Sequence, residues 1–264
     1  MSENNSNKIN FLTFANSGYN NLDRIANQAK QFPFNNIYLY SEKDIPEFIK
    51  KHREFINSNK QGFGFWIWKP KVILDVLNKI DNGEILVYCD SGIHLNVNGL
   101  DRFQEYINIL DNSKDIITFS TNDYYKAKNW VKNDAIMSYW PQFNNELSNS
   151  CYAGLMILKK TENSLKLISE WLELCENYHF LDRSQSIQYP ESSCYKGNDC
   201  DNGLFQLVLS KFNSVVEKIY PDEVNIYHNG MQVAHCPWVS TGSGDWLALN
   251  NFPFHYRRDS PRYH

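Results

Sequence analysis

Asp90 has the most telling setting for chemistry in this chain. It ends an apolar run, Leu86-Val87-Tyr88-Cys89, and precedes Ser91-Gly92, a turn. A buried strand thus delivers one carboxylate to a sheet edge, where open α/β folds bind ligands. A carboxylate there suits a hard divalent cation, Mg²⁺ or Mn²⁺, and such an ion neutralises a diphosphate. The plainer alternative is that Asp90 only caps its turn. One helix upstream stands Gly62-Phe63-Gly64-Phe65-Trp66-Ile67-Trp68-Lys69-Pro70. Its two glycines permit close backbone approach, and so many aromatics in so short a span are not all core. Phe63 and Ile67 read as packing. Trp66, Trp68 and Lys69 read as site residues, with the Lys69 ammonium offered to a phosphate or a sugar hydroxyl just before Pro70 opens a helix.

The elements that must position these residues alternate along the first half of the chain. Strand patterns at 9–15, 37–40, 85–89 and 116–119 are interleaved with helical spacing at 22–29, 45–55, 72–80 and 100–110. This βαβα rhythm predicts an α/β fold with a mostly parallel central sheet flanked by helices. A further strand is expected at 152–158, with helices at 165–175 and 204–212 and a long polar loop over 178–201. With no linker, repeat or low-complexity tract, the expectation is one domain over residues 1–264.

Composition narrows the function classes. Against 30 acidic residues there are 26 basic ones, a net charge of −4, so the basic surplus of a nucleic-acid binder is missing. The 16 Tyr, 16 Phe and 7 Trp are an unusual share; part of them is core, and flat aromatic faces also match sugar rings and nucleobases. None of the six cysteines forms a C-x-x-C pair, and Cys89 and Cys151 sit in apolar runs, so reduced thiols in the cytoplasm are expected. Cys194 and Cys200 flank a polar loop in which a pairing is open. The Asn-rich start lacks the apolar stretch of a signal peptide, and no apolar run nears the ~20 residues of a membrane span.

Asn16-Ser17-Gly18 after the first strand, the GFGFWIWKP block and the VYCDSG block together resemble small GT-A-type glycosyltransferases of bacterial polysaccharide and large-virus gene sets. Shorter matches follow in the same order: Trp130-Val131-Lys132-Asn133-Asp134, Ser150-Cys151-Tyr152-Ala153-Gly154, Asp201-Asn202 and His255-Tyr256-Arg257-Arg258. The resemblance implies a nucleotide-sugar donor, UDP- or GDP-linked, and a glycan acceptor. It implies that Asn16 and Ser17 contact the nucleotide and that Asp90, Ser91 and Gly92 line the donor site with Trp66, Trp68 and Lys69. It places Asp134, Tyr152, Ala153 and Gly154 near the acceptor. Asp201, with Asp199 behind it, is implied as the carboxylate that deprotonates the acceptor hydroxyl. Mn²⁺ or Mg²⁺ is implied at Asp90 and a late histidine, His255 before His228 and His235. Arg257 and Arg258 are implied as donor-binding cations that meet the diphosphate charge. The sequence departs from the family in two places: Gly92 stands where a second carboxylate is usual, and Asn202 stands where glutamine is usual.

Two rival functions share parts of this pattern. A nucleotidyltransferase has the same layout, but Phe14-Ala15-Asn16-Ser17-Gly18 lacks the basic residue of its phosphate loop. A non-catalytic carbohydrate-binding protein would keep the aromatics and dispense with the metal.

Overall fold

The apolar runs become strands because nearly every residue in them is covered on both faces of a sheet. The computed structural model describes residues 8–18, 22–121, 125–145, 148–228, 231–232 and 246–256. Its strands are β1 (Ile9–Phe14), β2 (Asn36–Tyr40), β3 (Ile85–Cys89), β4 (His94–Leu95), β5 (Ile116–Ser120), β6 (Cys151–Lys159), β7 (Val216–Ile219), β8 (Tyr227–His228), β9 (Met231–Gln232) and β10 (Phe254–His255). Six of them form the central sheet in the order β2-β1-β3-β6-β5-β7. β6 alone runs against its neighbours β3 and β5, so the sheet is mostly parallel. β4 and β10 make a separate antiparallel ribbon, and β8 pairs with β9.

The helices are α1 (Leu22–Ala29), α2 (Pro46–Lys51), α3 (Arg53–Ser58), a single turn α4 (Gly62–Phe65), α5 (Trp68–Lys79), α6 (Leu100–Asn112), α7 (Asn133–Tyr139), α8 (Glu162–Glu176), α9 (Tyr178–Leu181) and α10 (Cys200–Lys211). Strand residues alternate between two cores, as a pleat requires. Leu12, Phe14, Leu86 and Tyr88 pack with α5, α8 and α10. Phe11, Val87, Cys89, Ile117 and Phe119 pack with α1 and α6 on the other face. The result is a three-layer α/β sandwich, as expected from the rhythm of the sequence.

One local expectation is corrected, one strand was unforeseen and one open pairing is resolved. The helix expected over 45–55 breaks at His52, whose buried ring meets the Tyr178 hydroxyl at 2.7 Å and Glu176 at 3.0 Å. β7 carries no distinct signal in the sequence and still forms an edge of the sheet. Cys194 and Cys200 are free thiols, as are Cys89, Cys151 and Cys175. Among the described residues, no helix is long and apolar enough to cross a membrane.

Candidate active site

β1, β3 and β5 end on one edge of the sheet, and β6, running the other way, begins there. Asp90 follows β3 at that edge, and its N–H donates to the Gly154 carbonyl of β6 at 2.7 Å. Its side chain is 37% exposed. The Tyr88 hydroxyl donates to its Oδ1 at 2.6 Å. Tyr88 and Asp90, two residues apart on an extended segment, share a face, a signal present in the sequence and passed over. Gly154 lies against the carboxylate: a Cβ there would stand 2.5 Å from Asp90 Oδ2 and 2.9 Å from the Tyr256 hydroxyl.

Lys69 approaches from the first turn of α5, and the route is unusual. Gly62, Phe63, Gly64, Phe65 and Trp66 all have positive φ, between 52° and 86°. They wind one left-handed turn, closed by Phe65 N–H to Gln61 O at 2.9 Å and Trp66 N–H to Gly62 O at 3.1 Å. Left-handed winding costs roughly 1–2 kcal/mol at each residue with a side chain, so the two glycines lighten a strained element. The turn is tight as well as strained, because a Cβ on Gly62 would meet the Trp66 ring at 2.3 Å. Beyond it the chain resumes right-handed helix and Lys69 is carried under Asp90.

The Lys69 ammonium stands 3.2 Å from Asp90 Oδ1, 3.4 Å from Oδ2 and 3.3 Å from Asp201 Oδ2, and its side chain is 4% exposed. The rings of Trp66 and Trp68 flank it, each centroid 6.0 Å away. Burial alone would lower the lysine pKa, but Asp201 and Asp90 outweigh it and raise the value, so the ammonium stays charged. The Asp201 carboxyl is pushed up to about 7, chiefly by burial, with Lys69 pulling it down and the Asp90 and Asp199 charges adding to the rise.

Asp201 is held in place by its main chain. Trp171 donates its indole N–H to the Asp201 carbonyl at 2.9 Å. Asn202 accepts the Ala153 N–H at 2.8 Å and donates to Asp199 Oδ2 at 2.7 Å. Gln206 pairs with both backbone groups of Cys151, at 2.7 and 2.8 Å, so the start of α10 docks on the start of β6. Asp199, at the helix cap, is exposed, whereas Asp201 is 3% exposed. An acceptor hydroxyl has to come within hydrogen-bond reach of its base. Asp199 faces solvent, and Asp201 is the buried partner of Lys69.

Other expected site residues fall into distinct places. Asn16 and Ser17 form the turn after β1 on the same edge, with the Ser17 N–H donating to the Glu42 carboxylate at 3.1 and 3.2 Å. Arg24 donates to the Ser91 carbonyl and, at 3.0 Å, to that of Ile93, fixing the turn that contains the half-buried Gly92. Trp68 is a core residue: it stacks on Phe14 at 3.9 Å and donates to the Gly62 carbonyl at 3.0 Å. Trp66 is partly buried against the same core. Tyr152 is buried on the opposite face of the sheet, its ring tilted against Tyr256 with centroids 4.2 Å apart and its hydroxyl accepting from Asn225. His235, Arg257 and Arg258 lie outside the described residues, as does the side chain of His228.

His255 is not directed at Asp90. Its Nε2 meets the Leu249 carbonyl at 2.9 Å and its ring stacks on Trp246 at 5.6 Å. Neighbouring residues of an extended segment point opposite ways, and the Tyr256 hydroxyl lies beside Gly154 instead. A divalent cation at Asp90 needs several further donors. Among the described residues no three His, Cys, Asp or Glu side chains gather to hold one, and an ammonium already stands against Asp90. The residues described do not fit a divalent-cation site.

Asp134, expected near the acceptor, is engaged by the long polar loop. It is buried at the start of α7 and accepts the N–H groups of Ile187, Gln188 and Tyr189 at 2.6–3.0 Å, together with His179 at 2.7 Å. Burial would raise its pKa, yet His179 and the three amides hold it well below the usual carboxylate range. Its stabilising effect is therefore present above about pH 4 and lost as the pH falls through that depressed value. Beside it the fully buried Lys132 binds the His179 carbonyl, Asp182 and Ser184, a cluster the sequence reading missed. The long polar loop is thus pinned to α7. Asp134→Ala should lower the unfolding free energy by about 3 kcal/mol, because buried amides lose their acceptor. Hydrogen exchange at 187–189 should accelerate; unchanged protection there would refute the pin.

No family model matches this chain, and no curated protein matches it. Among solved structures it is similar to a glycosyltransferase involved in glycosylating the major capsid of PBCV-1, at 12% identity and a TM-score of 0.49, over 94% of this chain and 93% of that one. It is also similar to a CMP-2-keto-3-deoxy-manno-octonic acid synthetase complexed with CTP, at 11% identity and 0.39, over 81% and 89%. A third is the glucosyl-3-phosphoglycerate synthase of Mycobacterium tuberculosis in complex with Mn²⁺ and UDP-glucose, at 9% identity and 0.37, over 81% and 69%. Likenesses of this size carry no assignment, so what the chain does has to be argued from its own side chains.

Proposed function

We propose that this chain is a glycosyltransferase that moves a sugar from a nucleoside-diphosphate sugar to a hydroxyl acceptor. One observation carries the reading: the half-exposed Asp90 carboxylate at the carboxyl edge of the sheet, with buried Lys69 and Tyr88 behind it and the bare Gly154 beside it. Such a carboxylate accepts hydroxyls of the donor, and the ammonium and the phenol behind it orient it. Asn16 and Ser17, on the neighbouring strand end, contact the nucleotide, and the Trp66 ring offers a face to a base or sugar. Asp199, exposed and tied through Asn202 to β6, is the base for the acceptor hydroxyl. Ala153 and Gly154 form the floor between donor and acceptor. Arg257 and Arg258, next in sequence after Tyr256, meet the charge that develops on the leaving diphosphate. The motif resemblance supports the same reading.

The test is a panel of UDP- and GDP-linked sugars incubated with the protein, with release of free UDP or GDP as the readout. Sugar-dependent release is expected, falling at least ~10²-fold in Asp90→Ala, the scale for losing a preorganised polar contact in a site. Release untouched by Asp90→Ala would sink the reading. Pyrophosphate release from a nucleoside triphosphate and a sugar would point instead to a nucleotidyltransferase. Binding of glycans with no nucleotide binding would leave a carbohydrate-binding protein.

A further inference from the structure

We infer that Lys69, paired with Asp90 from its buried side, is the resident cation of this site in place of a divalent metal, and that the nucleotide binds without such a metal. The nucleotide half of this inference rests on the transferase reading; the cation half does not.

The geometry is that of a fixed counter-ion. One ammonium lies within 3.2–3.4 Å of both oxygens of Asp90 and of one oxygen of Asp201. Two carboxylates are thereby joined through a single positive charge, and Asp201, 3% exposed, has no solvent to stabilise it instead. Lys69 is not a flexible surface lysine free to swing away. It leaves a helix whose start is set by five consecutive left-handed residues, and it is walled by two indole rings. A metal bound to Asp90 would sit beside this ammonium and be repelled by it. Gly154 lies against Asp90 Oδ2, with the Tyr256 hydroxyl also beside it, and narrows the room beside the carboxylate. His255, the residue expected to complete a metal site, is turned to the Leu249 carbonyl. The second carboxylate that would strengthen metal binding is replaced in the sequence by Gly92, consistent with a site whose positive charge is built in.

The test begins with Mn²⁺ alone, titrated into the wild-type protein and followed by electron paramagnetic resonance and by Tm. No saturable binding and no rise in Tm are expected. Saturable one-to-one binding that Asp90→Asn removes would overturn the inference. UDP and GDP are then titrated in EDTA and in Mn²⁺, and their affinities are expected to agree within about twofold. A tenfold or greater loss in EDTA would overturn metal-free binding. Lys69→Met is expected to gain Mn²⁺ binding and to be stabilised by it, since two carboxylates are left without their cation. A folded Lys69→Met that takes up no Mn²⁺ counts against the inference; if the variant does not fold, the wild-type titrations decide. Failure to bind UDP or GDP under any condition would sink the transferase reading, while the Mn²⁺ titration would still decide the identity of the cation.

Discussion

Gly154→Ala is expected to cut sugar-dependent nucleotide release by roughly 10²-fold while the protein stays folded. The new Cβ would stand 2.5 Å from Asp90 Oδ2, 2.9 Å from Asp90 Cγ and 2.9 Å from the Tyr256 hydroxyl. None of these atoms retreats easily. The other Asp90 oxygen is held by Tyr88 at 2.6 Å and Lys69 at 3.2 Å, and the Asp90 amide is bound to the carbonyl of Gly154 itself. Tyr256 packs at a tilt against Tyr152 and is tied through its N–H to the Val224 carbonyl at 2.7 Å. The carboxylate must therefore rotate away from its hydrogen bonds, whereas the overpacking itself costs only about 1–3 kcal/mol. Circular dichroism and Tm measure the second effect, and nucleotide release measures the first. Wild-type release in a folded Gly154→Ala protein would show that the position of Asp90 is not critical.

Lys69→Met is expected to lower the unfolding free energy by about 3–5 kcal/mol at pH 8, the usual scale for removing one partner of a buried ion pair. The loss should shrink on acidification. Asp201 already has its folded pKa raised to about 7 by burial, against the pull of Lys69, so its favourable contribution is complete below about pH 4 and fades as the pH rises through 7. Without the ammonium its carboxyl is raised further, and the variant should be closest to wild type near pH 5. Asp201→Asn in the same background should restore much of the stability at pH 8 by removing the uncompensated charge. Urea denaturation across this range checks the argument. A penalty independent of pH and unrelieved by Asp201→Asn would mean that Lys69 acts by packing.

The layout was largely legible because strands covered on both faces read as apolar runs, and β1, β3 and β5 stand close to where those runs lie. The reversed direction of β6 was not, since an apolar run carries no arrow. The helix at the site begins at Cys200, earlier than its apolar stripe suggests, because Asp199 and Asp201 look polar while one stands just before the helix and the other is buried in its first turn. The types of Lys69, Asp90 and Asp201 pointed to chemistry, but their joining through one ammonium depends on tertiary approach. Trp68 misled for a related reason: an indole in the core and one in a binding site look the same in sequence. The left-handed turn at Gly62–Trp66 left only its two glycines as a trace.

The β4–β10 ribbon also bears on the order in which the molecule assembles. Phe254 pairs with Leu95 and is buried among Phe103, Tyr106 and Phe119. The strands that present Asp90 and Gly154 lie well before it in the chain and can pair while later residues are still being synthesised, at roughly 5–20 residues per second. Tyr256 arrives only when residues 246–256 dock, a contact between distant parts of the chain and therefore slow to form. Through that interval a nascent protein has its sheet but an unfinished cleft, and competence should appear in a final closing step rather than grow with the core.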